Sequence, residues 1–224
     1  MFENFKNEID FFIRNKTRFS RKNYIENSVR ELEINNAQNL YFCEILERYF
    51  FKISNKKLSI LDIGCKNWFY IKGIYDFFNV FSSDFEIDGV ELDAHRLYSN
   101  LYSRFEVAKY YMKNFKNVNY IAGNLLDIEK RYDYITWFLP FVKIEPLKKW
   151  GLPKKYFCPE KLLTHAYSLL NDGGQMLIVN QGEKERDVQK DLLLKLGVEF
   201  EFLGEIKNDF YQFENKRFGF LVKK

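Results

Sequence analysis

The stretch Leu58-Ser59-Ile60-Leu61-Asp62-Ile63-Gly64-Cys65-Lys66-Asn67-Trp68 decides how the chain reads. An apolar run ends in an acidic residue and a glycine, polar residues follow, and a helix-like pattern starts from Phe69. A short apolar run bounded by turn signals is what a buried parallel strand looks like. Glycine just past such a strand lets the backbone turn tightly and approach a ligand. In open α/β sheets ligands sit outside the carboxyl ends of the strands, where strand order reverses. Asp62 and Gly64 are therefore expected to line a nucleoside-type pocket. The alternative is an ordinary strand-turn-helix corner.

Downstream of this stretch, strands and helices alternate. Ile71, Ile74, Tyr75 and Phe78 mark a helix, and Ile87–Glu91 reads as a second strand. Leu101, Phe105, Ala108, Met112 and Phe115 form a helical stripe, followed by a third strand at Val118–Ile121. Tyr134–Phe138 is a fourth strand, stopped by Pro140. Pro159 opens a leucine-rich helix, Asp172-Gly173-Gly174 reads as a turn, and Met176–Val179 is a fifth strand. A charged helix starts at about Glu183. Val198–Ile206 and Phe218–Val222 then read as two strands joined without a helix, hence antiparallel. Such alternation implies βαβ units and a largely parallel sheet with right-handed crossovers.

Upstream, residues 1–57 contain neither glycine nor proline and read as helical. Phe42, Ile45, Leu46, Tyr49 and Phe50 recur at one-face helical spacing. A basic patch, Arg14, Lys16, Arg18, Arg21 and Lys22, precedes Glu26, Glu31 and Glu33. It reads either as a solvated face or as a cap that holds an anionic substrate. The expected organisation is an N-terminal helical cap over 1–57 and an α/β domain over 58–224.

Composition narrows the function classes. A chain of 224 residues can bury most of its apolar surface without metals or disulfides. The formal charge of +4 permits nucleic-acid contact without arguing for it. Cys43, Cys65 and Cys158 are scattered, show no metal spacing and leave one unpaired in any disulfide scheme, which points to a reducing compartment. The N-terminus has no apolar signal core, and no stretch approaches the roughly 20 apolar residues of a membrane span. The expectation is a cytoplasmic protein with no membrane partner and no metal.

Functional residues fall at successive strand ends. Glu91 closes the second strand, where an acidic side chain can accept both hydroxyls of a ribose. Asn124 follows the third strand; its amide can pair with an adenine edge or cap the next segment. A phosphate-cradling loop needs a second glycine two residues after Gly64, but Lys66 stands there, with Trp68 and Phe69 beyond. An adenosyl ligand without phosphate tolerates those side chains, and S-adenosylmethionine is such a ligand.

At this point the sequence resembles the class I S-adenosylmethionine-dependent methyltransferases. Leu61-Asp62-Ile63-Gly64-Cys65 is similar to their first motif, and Gly89-Val90-Glu91-Leu92-Asp93 to the second. Gly123-Asn124-Leu125-Leu126-Asp127 is similar to the third, and Asp133–Phe141 to the fourth, where methyl donor and acceptor meet. The helix-turn-strand Leu169–Val179 follows in order. The resemblance implies a Rossmann-like α/β fold: a seven-stranded, mostly parallel sheet with an antiparallel C-terminal hairpin, helices on both faces and an N-terminal helical extension. It implies S-adenosyl-L-methionine as cofactor, held by Asp62, Gly64, Cys65, Lys66, Glu91, Leu92, Asn124, Leu125 and Phe138. Lys66 and Trp68 depart from the family's usual glycines. Phe138-Leu139-Pro140-Phe141 offers no side-chain carbonyl to orient a base amine, which argues against a nucleobase N-methyltransferase.

Methyl transfer is an in-line displacement in which approach geometry can supply much of the catalysis. If a general base takes part, Glu183 and Glu145 are the candidates. Phe141, Asn180 and Gln181 are expected acceptor contacts, and Trp137, Phe141 and Trp150 could wall an aromatic slot. His95 and His165 read as structural. The expected function is methyl transfer to a small-molecule acceptor. The alternatives are an RNA methyltransferase using the basic patch and a catalytically inactive cofactor-binding module.

Overall fold

A computed structural model describes residues 21–51 and 57–224. Most of the basic patch, Arg14 to Arg18, lies outside the described residues. Arg21 and Lys22 begin the first helix, α1 (Arg21–Tyr49), and their side chains also lie outside what is described.

Seven strands follow: β1 (Leu58–Ile63), β2 (Phe85–Glu91), β3 (Val118–Ala122), β4 (Tyr132–Phe138), β5 (Leu170–Gln181), β6 (Phe200–Glu205) and β7 (Arg217–Lys223). They form one sheet in the order β3-β2-β1-β4-β5-β7-β6. Only β7 opposes the others, pairing antiparallel with β5 and with β6. The order reverses between β1 and β4, so the switch point lies beside the carboxyl end of β1.

The helices are α2 (Ile71–Phe81), α3 (Arg104–Met112), α4 (Ile144–Lys149), α5 (Pro159–Ser168) and α6 (Gly182–Leu196). Side chains alternate across each strand, so the central strands feed two cores. Ile60, Tyr134, Leu177 and Val179 meet Tyr41, Ile45 and Leu46 of α1 and Ile71, Ile74 and Phe78 of α2. Leu61, Ile135, Met176 and Ile178 meet Leu163 and Ala166 of α5 and Leu193 of α6. The apolar stripe read around Phe42 is thus the face that seats α1. Asn39 anchors it further: its Nδ2 donates to Phe69 O at 3.1 Å and its Oδ1 accepts from Gly73 N at 2.7 Å. No helix among the described residues is long and apolar enough to cross a membrane.

Three local expectations are corrected. The helical stripe from Leu101 begins only at Arg104, because Ser103 and Glu106 form a capping box that fixes the first turn there. Leu101 itself is left-handed (φ 67°) and exposed. Asp172-Gly173-Gly174 is a bulge inside β5 rather than a turn before it: Tyr132 pairs with Leu170 and Tyr134 with Gln175. Between Pro140 and Pro159 the chain adds α4, with Pro146 in the first turn, where a missing N–H costs nothing.

Candidate cofactor and acceptor site

The turn after β1 has left-handed backbone at alternate positions: Gly64 (φ 72°), Lys66 (φ 56°) and Trp68 (φ 49°). The loop therefore has a shape suited to three glycines while holding one. Side-chain residues in this region carry a penalty of about 1–2 kcal/mol each, so the surroundings must hold them there, and the contacts show how. Lys66 N donates to Glu91 Oε2 at 2.9 Å, and Lys66 O accepts from the Tyr120 hydroxyl. Trp68 N donates to Cys65 O at 2.8 Å. The Trp68 indole is fully buried against Gly89, where any side chain would collide: a Cβ there would lie 2.6 Å from the ring.

Asp62 is the second support. It is fully buried and does not reach the cavity, which corrects its expected role as a lining residue. Its carboxylate accepts from Trp68 Nε1 and the Tyr70 hydroxyl, both at 2.8 Å, and from Thr136 Oγ1 at 2.7 Å. Burial lifts its pKa from 3.8 to about 7, against the pull of those three donors. Cys65 is likewise buried, and burial raises its thiol pKa. Both residues shape the loop from behind.

A cavity of about 550 Å³ lies above the strand ends. Gly64, Lys66, Glu91, Leu92, Asn124, Leu125, Phe138 and Phe141 line it, together with Trp137 and Trp150. A Cβ at Gly64 would meet nothing, so the bare backbone faces open space. Asn124 caps the short 3₁₀ turn Leu125–Asp127 through Oδ1, which accepts from Leu126 N at 3.1 Å. Its amide nitrogen has no hydrogen bond to a described residue.

Glu91 is more occupied than the sequence suggests. Besides Lys66 N, its Oε1 accepts from Asp93 N at 2.8 Å and lies 3.6 Å from Arg104 Nη1. Arg104, on the first turn of α3, is buried, pairs with Asp93 at 3.2 Å and stacks 4.5 Å from the Trp150 ring centre. Lys66 Nζ sits 5.3 Å from the same ring. Burial, with Arg104 beside it, lowers the Lys66 pKa. Two cations therefore flank one indole next to the acidic ribose candidate. Sequence reasoning missed Arg104, although Ser103-Arg104-Phe105-Glu106 carries the capping-box pattern that would have located it.

The other expected residues lie off the cavity walls. Glu183, at the start of α6, is exposed, and Glu145 on α4 is exposed beside Lys143. Asn180 is fully buried, but strand alternation turns it with Ile178 toward the α5–α6 face. Gln181 donates its backbone N–H to Glu185 at 3.2 Å. His165 Nε2 lies 3.0 Å from Ile128 O and ties α5 to the loop before β4. In place of Asn180 and Gln181, the β5–β7 end of the cavity is walled by Tyr41 and Phe42 of α1, Val179, Phe213 and Arg217.

No protein-family model and no curated protein sequence matches the chain. Solved structures do. An S-adenosylmethionine-dependent methyltransferase from Aquifex aeolicus superposes with a TM-score of 0.59 at 13% identity, over 88% of this chain and 97% of that one. A methyltransferase from Pyrococcus furiosus gives 0.56 at 20% identity over 80% of each chain. The magnesium protoporphyrin IX methyltransferase of Synechocystis PCC 6803, solved with bound S-adenosylmethionine, gives 0.52 at 11% identity over 98% of this chain and 97% of that one. The chain has the class I methyltransferase fold.

Proposed function

We propose that the protein is an S-adenosylmethionine-dependent methyltransferase acting on a small-molecule acceptor with an apolar or aromatic body. The observation that carries this reading is the convergence of the loops after β1, β2 and β3 on one cavity, presenting Gly64, Glu91 and Asn124–Leu125 together. The residues present fit the cofactor. Gly64 leaves backbone bare, Glu91 has carboxylate lone pairs left for a ribose diol, and Asn124 has an amide nitrogen with no partner among the described residues, beside apolar Leu125. Lys66 is within the same wall and suits the carboxylate of the cofactor's amino-acid end.

A bound S-adenosylmethionine would supply an electrophilic methyl group to the acceptor's lone pair, with S-adenosylhomocysteine as the leaving product. The chain's own work is to position the two partners and keep water out. Phe138 closes β4 and Phe141 follows it at the switch point, next to Gly64 across the β1–β4 boundary. Phe42 packs against both Tyr70 (4.2 Å, stacked) and Phe138 (4.6 Å) and so closes that region from the α1 side. In this reading α1 is the cap of the acceptor space, and the unit 58–224 is the methyltransferase domain. No carboxylate of Glu145 or Glu183 stands at the cavity, so alignment rather than proton abstraction by those residues carries the rate.

Calorimetric titration with S-adenosylmethionine and S-adenosylhomocysteine tests the reading. One molecule of either should bind per chain. Absence of binding by both would remove the proposal.

A further inference from the structure

The β7 end of the cavity contains polar groups that the cofactor leaves unused. Arg217 is 9% exposed and lines the cavity. Its one hydrogen bond to a described residue runs from Nη1 to Asn215 O at 3.2 Å, and its guanidinium lies 4.3 Å from the Phe213 ring. Among the described residues no carboxylate lies within 4.0 Å of it. Glu185, whose charge acts on it, has an oxygen engaged by Gln181 N. Beside it Tyr41 is 2% exposed, lines the same cavity, packs 5.0 Å from the Phe213 ring, and its buried hydroxyl has no hydrogen-bond partner among the described residues. A buried charge is ordinarily paired, and a buried hydroxyl ordinarily bonded. Here the charge lines the open space, and the unbonded hydroxyl lies buried beside it. Burial lowers the Arg217 pKa, against the pull of Tyr41 and Glu185.

Position excludes the cofactor as the missing partner. Arg217 opens β7 opposite Gln181, at the same sheet edge as the other strand ends. From β1 the sheet runs through β4 and β5 to β7. At about 4.8 Å per strand, Arg217 stands about 14 Å from the Gly64 loop and about 19 Å from the β2 end that carries Glu91. A cofactor anchored at Glu91 and Gly64 ends short of it. Between lie Phe138 and Val179, with Phe42 above them, so the space joining the two ends is apolar.

We infer that Arg217 and the Tyr41 hydroxyl form an anion subsite that holds a carboxylate or phosphate of the methyl acceptor, whose apolar body lies along Phe42 and Phe138. The inference rests on the methyltransferase reading for the word acceptor, but the anion subsite itself does not. A guanidinium presents paired N–H donors to two oxygens, and the phenol adds a third donor from α1. Binding would therefore tie α1 to β7 across the cavity mouth.

The test compares cinnamate, cinnamamide and phenyl phosphate by calorimetry on the full chain, with and without S-adenosylhomocysteine. An ionic hydrogen-bonded pair should favour cinnamate over cinnamamide by about tenfold or more. Arg217→Gln should erase that preference while leaving S-adenosylhomocysteine affinity unchanged, and Tyr41→Phe should reduce it about threefold to tenfold. Phenyl phosphate against cinnamate tells which oxyanion the subsite prefers, and tighter binding of either than of the amide supports it. Equal binding of anions and amide by the unaltered protein overturns the inference, as does a preference that survives Arg217→Gln. Should Arg217→Gln fail to fold, an unchanged preference in Tyr41→Phe overturns it. Loss of the methyltransferase reading would show separately, as no binding of S-adenosylhomocysteine while the anion preference persists.

Discussion

The indole nitrogen of Trp68 donates to the carboxylate of Asp62 at 2.8 Å, across a turn in which Trp68 itself is left-handed. A residue one short of the end of β1 thus holds the loop that follows the strand. Trp68→Phe removes the donor and keeps most of the ring. It should destabilise the protein by about 1–3 kcal/mol, the cost of weakening a buried bond to a charged acceptor. Denaturant unfolding measures this. A Trp68→Phe protein as stable as the parent would show that the indole N–H does not hold the turn.

Gly89 faces the other side of that indole. A Cβ there meets ring carbons at 2.6–2.8 Å, so Gly89→Ala must push Trp68 away from Asp62. Overpacking of this kind costs about 1–3 kcal/mol. Because displacing the indole also loosens the Gly64 turn, S-adenosylhomocysteine affinity should fall together with the melting temperature.

Asp62 should leave a signature in the pH dependence of stability. Its folded-state pKa, about 7, lies above its ordinary 3.8 because burial disfavours the charge. Below about pH 4 the group is protonated in both states and its contribution is fully present. As pH rises toward 7 the unfolded chain releases the proton first, so the contribution, of the order of a few kcal/mol, is lost across that window. Asp62→Asn lacks this slope. Between pH 5 and pH 7 the unfolding free energy of the parent should fall relative to that of Asp62→Asn, a comparison in which the other carboxylates cancel. Parallel curves would refute the assignment.

Glu91 serves two purposes, and its replacement should show both. Glu91→Ala orphans the amides of Lys66 and Asp93, so stability drops whether or not a ligand binds. If the carboxylate also takes the ribose hydroxyls, S-adenosylhomocysteine affinity should weaken by about 1–3 kcal/mol. A lower melting temperature with an unchanged dissociation constant would leave Glu91 a structural role alone.

Much of this was legible in the sequence. The order of strands and helices, the reversed final hairpin and the three strand-end loops follow from period and punctuation, which local sequence encodes. Trp137 and Phe141 were readable as a wall for the same reason, since they flank the end of β4, and Trp150 joins them from the end of α4. Burial direction was harder. Asp62 belongs by motif to a ligand loop, yet alternation aims it at Thr136, inside the sheet. Asn180 is turned away by the same rule. Arg217 and Tyr41 lie in the last strand and the first helix, and nothing local relates them. The β5–β7 register sets Arg217 opposite Gln181, and the packing of α1 on the sheet brings Tyr41 to the same edge. The shape of the Gly64 turn was the least legible feature, because its glycine-like bends at 66 and 68 are imposed by Tyr120, Glu91 and Asp62 rather than by the residues that make them.

That last feature concerns handedness more than room. At position 66 an L-residue is held in a conformation that its mirror image adopts by preference. A protein assembled by chemical ligation with D-alanine at this one site should therefore fold without the backbone penalty that Lys66 carries.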